Sequence, residues 1–263
     1  MNNKLLTFFG FTKMPFTKDI ETDKIFKSSM INELHSMFEF GISTEDIMLI
    51  FGEIGCGKSV ALRLFLESLD VNKYYPIYLK SCGMNVSHLY SAILSSKKIE
   101  PPFRLFNAKK LYEKVISESR KKPVVILDDA QDLTDKALLE IKNLVSFDAD
   151  STNRLCVIIS GQMEIAEKMK FSMFASVMQR IRLKFQAEGM GLEETCRYID
   201  HQMKISGKDT SIFTDDAMAE IFKRTNGIAG LINKECFTAI IAACAKKRDL
   251  IEPSILPPQD SLV

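Results

Sequence analysis

No apolar run in the 263-residue chain approaches the ~18 residues needed to cross a membrane as a helix, and the N-terminus lacks the apolar stretch of a signal peptide. The expectation is a cytoplasmic protein with no membrane partner. Charge of one sign is also missing, since 35 Lys and Arg face 34 Asp and Glu for a net of +1. No global basic field announces nucleic acid, so any DNA contact has to come from a local patch or from repeated copies in an oligomer. The six cysteines (Cys56, Cys82, Cys156, Cys196, Cys236 and Cys244) form no CxxC pair and show no His–Cys metal spacing. Most lie in apolar runs and read as reduced core residues. Internal repeats and low-complexity segments are absent. What is present is 46% hydrophobic and 26% charged, an ordinary globular composition. The length suits one large domain, or a larger one with a small companion.

One stretch breaks this plainness. Gly52-Glu53-Ile54-Gly55-Cys56-Gly57-Lys58-Ser59 follows the apolar run 47–51 and leads from Val60 into a segment of helical periodicity. Strand, glycine loop and helix together turn that spacing into a phosphate-binding P-loop. Glycines at 52, 55 and 57 let backbone N–H groups point inward, and the helix start adds its positive end. Lys58 is placed to reach the β- and γ-phosphates, and the Ser59 hydroxyl to ligate Mg²⁺. The loop residues 52–59 and Val60 are therefore the expected nucleotide-binding set. Cys56, inside it, reads as an incidental small residue rather than a redox switch. No guanine-reading motif is visible, so the nucleotide is expected to be ATP.

A second apolar run, Val124-Val125-Ile126-Leu127, ends in Asp128-Asp129-Ala130-Gln131. Four β-formers closing on two acids predict a buried parallel strand that delivers carboxylates at its C-terminal edge, a Walker B element. Asp128 would hold Mg²⁺, directly or through water, and Asp129 would orient the attacking water. The next buried strand, 155–160, ends in Ser160-Gly161-Gln162. In P-loop proteins of the additional-strand class such a strand separates the two Walker strands and ends in a γ-phosphate sensor, a role that Ser160 or Gln162 fits.

Around these motifs the pattern predicts an α/β fold, a parallel sheet with helices on both faces, followed by a small C-terminal helical lid. Residues 1–30, with four phenylalanines between 8 and 16, form an N-terminal arm too apolar to leave in water, expected to pack near the nucleotide site. Residues 31–189 form the core, with a helix from 31, strands near 76–80 and 180–185, and helices near 86–96, 107–120 and 134–145. Residues 190–250 are helical only, in three helices beginning at 192, 214 and 229. Residues 251–263, with three prolines, read as an exposed tail.

The ensemble resembles a AAA+ ATPase, and within that group the ExeA-type family with its transposition-helper ATPases of the TniB and IstB kind. The resemblance covers nearly the whole chain. It rests on Phe9-Gly10-Phe11 with Pro15-Phe16, the glycine loop, the strand ending Asp128-Asp129-Ala130-Gln131, and Leu231-Ile232-Asn233-Lys234 after Gly227. It implies a homo-oligomeric ring or filament with ATP at subunit interfaces. It also implies Arg180 as the arginine finger, Arg182 being its rival, and duplex DNA and a transposase as partners. By the same resemblance Lys80, Asn85, Ser87, Lys97 and Lys98, after the second strand, would face DNA phosphates. Two departures bear on hydrolysis: Asp129 stands where the family carries Glu, and Gly230 where it carries Arg. Both imply slow turnover, with the ATP-bound assembly as the signal. Secretion-associated relatives continue into a membrane span and a periplasmic domain, which the sequence as given does not, so transposition is the leading expectation. The alternatives are an ExeA-type secretion ATPase and an initiator or helicase-loader-like protein.

Overall fold

The computed structural model describes residues 2–17, 20–147 and 152–258. Eleven α-helices are described: α1 (Asn2–Phe9), α2 (Ser29–Thr44), α3 (Lys58–Ser68), α4 (Val86–Ser96), α5 (Leu105–Ser117), α6 (Asp135–Val145), α7 (Met163–Met169), α8 (Ala175–Met178), α9 (Leu192–Ile205), α10 (Asp215–Thr225) and α11 (Ala229–Ala245). The chain divides into two units, one of residues 33–53 and 58–187, the other of residues 1–32, 54–57 and 188–263.

The first unit is built on a parallel five-stranded sheet. Its strands are β1 (Ile47–Gly52), β2 (Tyr74–Lys80), β3 (Lys122–Asp128), β4 (Cys156–Gly161) and β5 (Ile181–Ala187), in the order β2-β3-β4-β1-β5. The burial of each strand follows from that order. The interior strands β1, β3 and β4 are apolar almost without interruption and are buried nearly throughout, as strands covered on both faces must be. The edge strands β2 and β5 alternate instead, and Pro76 sits on edge strand β2, where a missing N–H costs least. The alternation of Arg182, Leu183, Lys184 and Phe185 is thus the mark of an edge. Gly52 ends β1 because a Cβ there would come within 2.3 Å of the Ala187 carbonyl oxygen on β5. Side chains cap two of the surrounding helices: Asn85 accepts from the His88 N–H at the start of α4 (2.9 Å), and Thr134 from the Ala137 N–H at the start of α6 (3.3 Å). The core runs from Ile47, Leu49, Val125 and Leu127 through Leu138, Ile141 and Val157 to Tyr112, whose hydroxyl donates to the Leu144 carbonyl at 2.6 Å.

The second unit is helical. Its core joins Leu5 and Phe9 of α1, together with Phe11 and Phe16, to Ile199, Met203, Ile221, Ile232 and Ile240. The N-terminal arm is therefore partly a helix: Leu5 and Phe9 lie one turn apart and face this cluster. Asn226 and Gly227 end α10 with φ of +47° and +73°, and a side chain on Gly227 would overlap the Met190 carbonyl, so glycine is required there. The expectation of an exposed tail from residue 251 fails. Ile251 is fully buried and bridges to Phe213, and Ile255 and Leu256 are buried in the same cluster. The apolar residues between the prolines have a core to fill. Residues 259–263 of that tail lie outside the described residues.

Candidate nucleotide site

The phosphate loop begins where β1 ends. Gly55 and Gly57 have φ of +85° and +111°, conformations that side-chain-bearing residues rarely adopt and that turn successive N–H groups toward one point. α3 starts at Lys58, aligning its N-terminus with the loop. Lys58 Nζ donates to the Gly52 and Glu53 carbonyls at 2.8 and 2.9 Å, which draws the ammonium back across the loop. Glu53, Ile54 and Gly55 are exposed, Gly57, Lys58 and Val60 half-buried, and Cys56 buried. At the loop tip the Gly230 N–H donates to the Gly55 carbonyl at 2.9 Å, and a Cβ on Gly230 would meet Gly55 Cα at 3.0 Å. Two glycines facing each other allow that approach. Gly230, at the start of α11, is therefore a packing residue.

Asp128 is the hub of the first unit's polar end. It is 5% exposed and accepts four hydrogen bonds. Ser160 Oγ and the backbone N–H of Asp129 donate to Oδ1 at 2.9 and 3.1 Å, while Ser59 Oγ, at 3.4 Å, and the Tyr78 hydroxyl donate to Oδ2. The sheet order explains the meeting. β4 lies between β3 and β1, so Ser160 at its end stands between the Walker acids and the phosphate loop. Tyr78 is the partner sequence reasoning missed. It lies on β2, two residues before Lys80, which is paired with Asp128, and only the register of that pair reveals it. Burial, the bond to Asp128 and the nearby negative charge all push its phenol above the usual range, so it stays a donor.

Asp129 stands at φ +54°, ψ +44°, the left-handed region, which Asp tolerates better than most side chains. Gln131 Nε2 donates to its Oδ1 at 3.4 Å, and Gln131 Oε1 accepts from the Gln162 N–H at 3.1 Å. Gln131 thus ties the second acid to the turn after β4, and Gln162 enters through its backbone. The donor set fits a magnesium-bound triphosphate. Ser59 and Asp128 offer hard oxygens, and among the described residues no group of three or more His, Cys, Asp or Glu would cage a metal alone. Mg²⁺ needs no such cage, because waters and substrate phosphates complete its shell.

The remaining candidates are not brought to this point. Arg180 precedes β5, and Ile181 pairs with Ile47 while Ala187 pairs with Gly52. β1 is six residues long and Arg180 precedes the partner of its first residue, so Arg180 lies ~20 Å from its own phosphate loop. Its guanidinium donates to Ser146 Oγ at 2.5 Å. Arg182 is 62% exposed and pairs with Asp46 at 3.5 Å. The five DNA candidates fall into two groups. Lys80, Asn85 and Ser87 lie between the end of β2 and the start of α4, whereas Lys97 and Lys98 follow its last residue, ~16 Å along the helix.

The interposition of β4 between the two motif-bearing strands makes this a P-loop NTPase fold of the additional-strand class. Within it the chain belongs to the AAA family, for the family model described as an AAA domain matches residues 23–169, more than half of the sequence. Among curated proteins it is similar to General secretion pathway protein A of Aeromonas hydrophila, at 24% identity over 247 residues. That match covers 91% of this chain and 45% of the relative, so the chain spans about half of that protein. Among solved structures it resembles Cdc6p of Pyrobaculum aerophilum, with TM-score 0.68, 17% identity, and 91% of this chain covered against 68% of the other. The Aeropyrum pernix ORC1 protein in complex with DNA gives 0.64, 14%, 91% and 66%, and Drosophila ORC bound to DNA gives 0.64, 14%, 99% and 65%. At such identities the likeness is one of fold. No helix among the described residues is long and apolar enough to cross a membrane.

Proposed function

We propose that this AAA protein is an ATP-dependent, self-assembling, DNA-binding regulator of DNA transposition, which recruits or activates a transposase where it is bound. The observation that carries the assembly is the position of Arg180. An arginine ~20 Å from its own phosphate loop cannot serve the nucleotide of its own chain, but it can serve that of a neighbour packed beside the start of β5, an edge strand of the sheet. In this reading Lys58 and the loop N–H groups hold the phosphates. Ser59 and Asp128 would hold Mg²⁺, which would supply charge neutralisation to the triphosphate. Asp129 orients the attacking water, and Ser160 or Gln162 reads the γ-phosphate. The neighbour's Arg180 stabilises the charge that develops, an effect worth about 10³–10⁵ in rate in P-loop enzymes. Asp129 is one methylene shorter than Glu, which supports slow turnover and an ATP-bound assembly that persists as the signal.

Support for DNA comes from the fold shared with the ORC proteins whose structures hold it, and support for transposition from the motif resemblance. A second reading, an ATPase of an envelope secretion system, is favoured by the similarity to General secretion pathway protein A. Electron microscopy of the chain with duplex DNA and a non-hydrolysable ATP analogue separates the two. Rings or filaments that require both ligands support the first reading. Assembly indifferent to DNA, together with no measurable affinity for duplex, would sink it and leave the second.

A further inference from the structure

At the end of the sheet opposite the phosphate loop lies a cavity of about 380 Å³ whose lining includes Arg120, Lys121, Lys122 and Arg154. Among the described lining residues one carboxylate, Glu45, is present and is paired with Lys122 at 2.6 Å. In a chain of net charge +1 this is a concentrated cationic recess. Two segments far apart in sequence build it. The turn between α5 and β3 brings residues 119–122, and the short antiparallel pair Ser146–Phe147 with Thr152–Asn153 brings Arg154 beside Phe147, guanidinium carbon 6.0 Å from the ring centroid. Residues 148–151, with Asp148 and Asp150, lie outside the described residues.

A third segment closes the rim. Lys97 Nζ donates to Ser119 Oγ at 2.8 Å and lies over the Tyr75 ring at 5.0 Å, while Ser119 Oγ donates to the Lys121 carbonyl at 2.7 Å. This accounts for the division of the earlier DNA candidates: Lys97 belongs with Arg120 and Lys121 at this end, away from Lys80, Asn85 and Ser87.

We infer that this recess is a binding site for the phosphate backbone of duplex DNA. Guanidinium forks and ammonium groups suit phosphate oxygens, and the hydroxyl and amide side chains of Ser117, Thr152 and Asn153, in the same lining, are donors of the kind that position a sugar-phosphate strand. The lining holds little exposed apolar surface to anchor a peptide, its one large aliphatic residue, Ile116, being 2% exposed. It is separated from the nucleotide loop by the length of β1, so one chain can hold ATP and DNA together. Contacts of this kind read no bases, and binding is independent of sequence. The inference rests on the DNA-binding reading above and gives it a surface.

The test measures anisotropy of a labelled 30-base-pair duplex with the full chain and a non-hydrolysable ATP analogue, over a series of salt concentrations. Arg120→Glu/Lys121→Glu alters two exposed side chains, and Arg154→Ala is made separately because it also removes packing on Phe147. The double variant should lose at least ~10-fold in affinity, and the salt slope should fall by about 2. Nucleotide affinity and the melting curve should stay as in the wild type. Wild-type binding to duplex with an unchanged double variant would overturn this site while the DNA reading stood. No wild-type binding to duplex at any salt would overturn both. Inorganic pyrophosphate provides the third arm: protection by pyrophosphate that depends on Arg120 and Lys121, without duplex binding there, would overturn the inference in favour of a small polyphosphate.

Discussion

Asp129 shows how a single side chain can be fixed by its backbone. The left-handed conformation favours short polar residues, and Asn adopts it as readily as Asp. Asp129→Asn should therefore leave the melting temperature within ~1 °C, since surface changes of this kind fall within about ±0.5 kcal/mol. On the proposed role of Asp129 in orienting the attacking water, phosphate release should drop at least ~10²-fold. ATP-dependent assembly should survive, and its loss would show that Asp129 is structural. Glu235 offers a second residue-scale test, of pH. It is 3% exposed, its Oε2 has no hydrogen-bond partner among the described residues, and Arg224 stands 3.9 Å away. Burial pushes its carboxyl above the usual value, with Arg224 offsetting part of the effect. The folded state thus holds the proton more tightly than the unfolded state, and stability falls as pH rises from the ordinary carboxylate value through the raised one. Glu235→Gln should melt higher than wild type near pH 7, with the gap closing toward about pH 4. Arg224 keeps Glu220 at 3.0 Å and the Pro257 carbonyl at 2.6 Å, so the substitution does not strand it. A constant gap across that range would remove Glu235 as the cause.

At the scale of elements, the interior strands were the most legible part of the chain. Their apolar runs carry no helical period, and the acids or polar groups that end them mark the same edge of the sheet. The meeting of Ser160 with Asp128 could be anticipated from the order of the strands. Tyr78 could not, because its approach depends on the pairing of β2 with β3, a contact across nearly fifty residues with no local signal. The tail misled for another reason: three prolines in six residues look like a linker, and burial of Ile251, Ile255 and Leu256 depends on a groove that sequence does not display. The DNA candidates were grouped by sequence proximity, whereas α4 carries them to opposite ends of the sheet. The central position of β4 has an energetic counterpart. Ile158 is fully buried and flanked by Ile126 and Met48, so Ile158→Ala should cost about 2–5 kcal/mol. Thermal denaturation followed by circular dichroism should show a fall of roughly 5–15 °C. A change under ~2 °C would mean that the sheet unit does not limit melting.

Across the whole molecule, the near-neutral total hides a strongly uneven distribution of charge, and the cationic recess is invisible in any count because its members come from three separate segments. The separation of Arg180 from the phosphate loop has a further consequence, which concerns direction. In the proposed assembly a contact made by the front of one copy and the back of the next is heterologous, so growth would proceed head to tail and a two-fold dimer would not be its product. Each copy then owns one plug and one socket. Lys58→Ala spoils the socket and spares the plug, and Arg180→Ala does the reverse. Either variant alone should sediment as a monomer with ATP. An equimolar mixture should form pairs, joined through one intact nucleotide interface and unable to lengthen. Continued growth of the mixture, or pairing of either variant by itself, would mean that the two ends are not complementary.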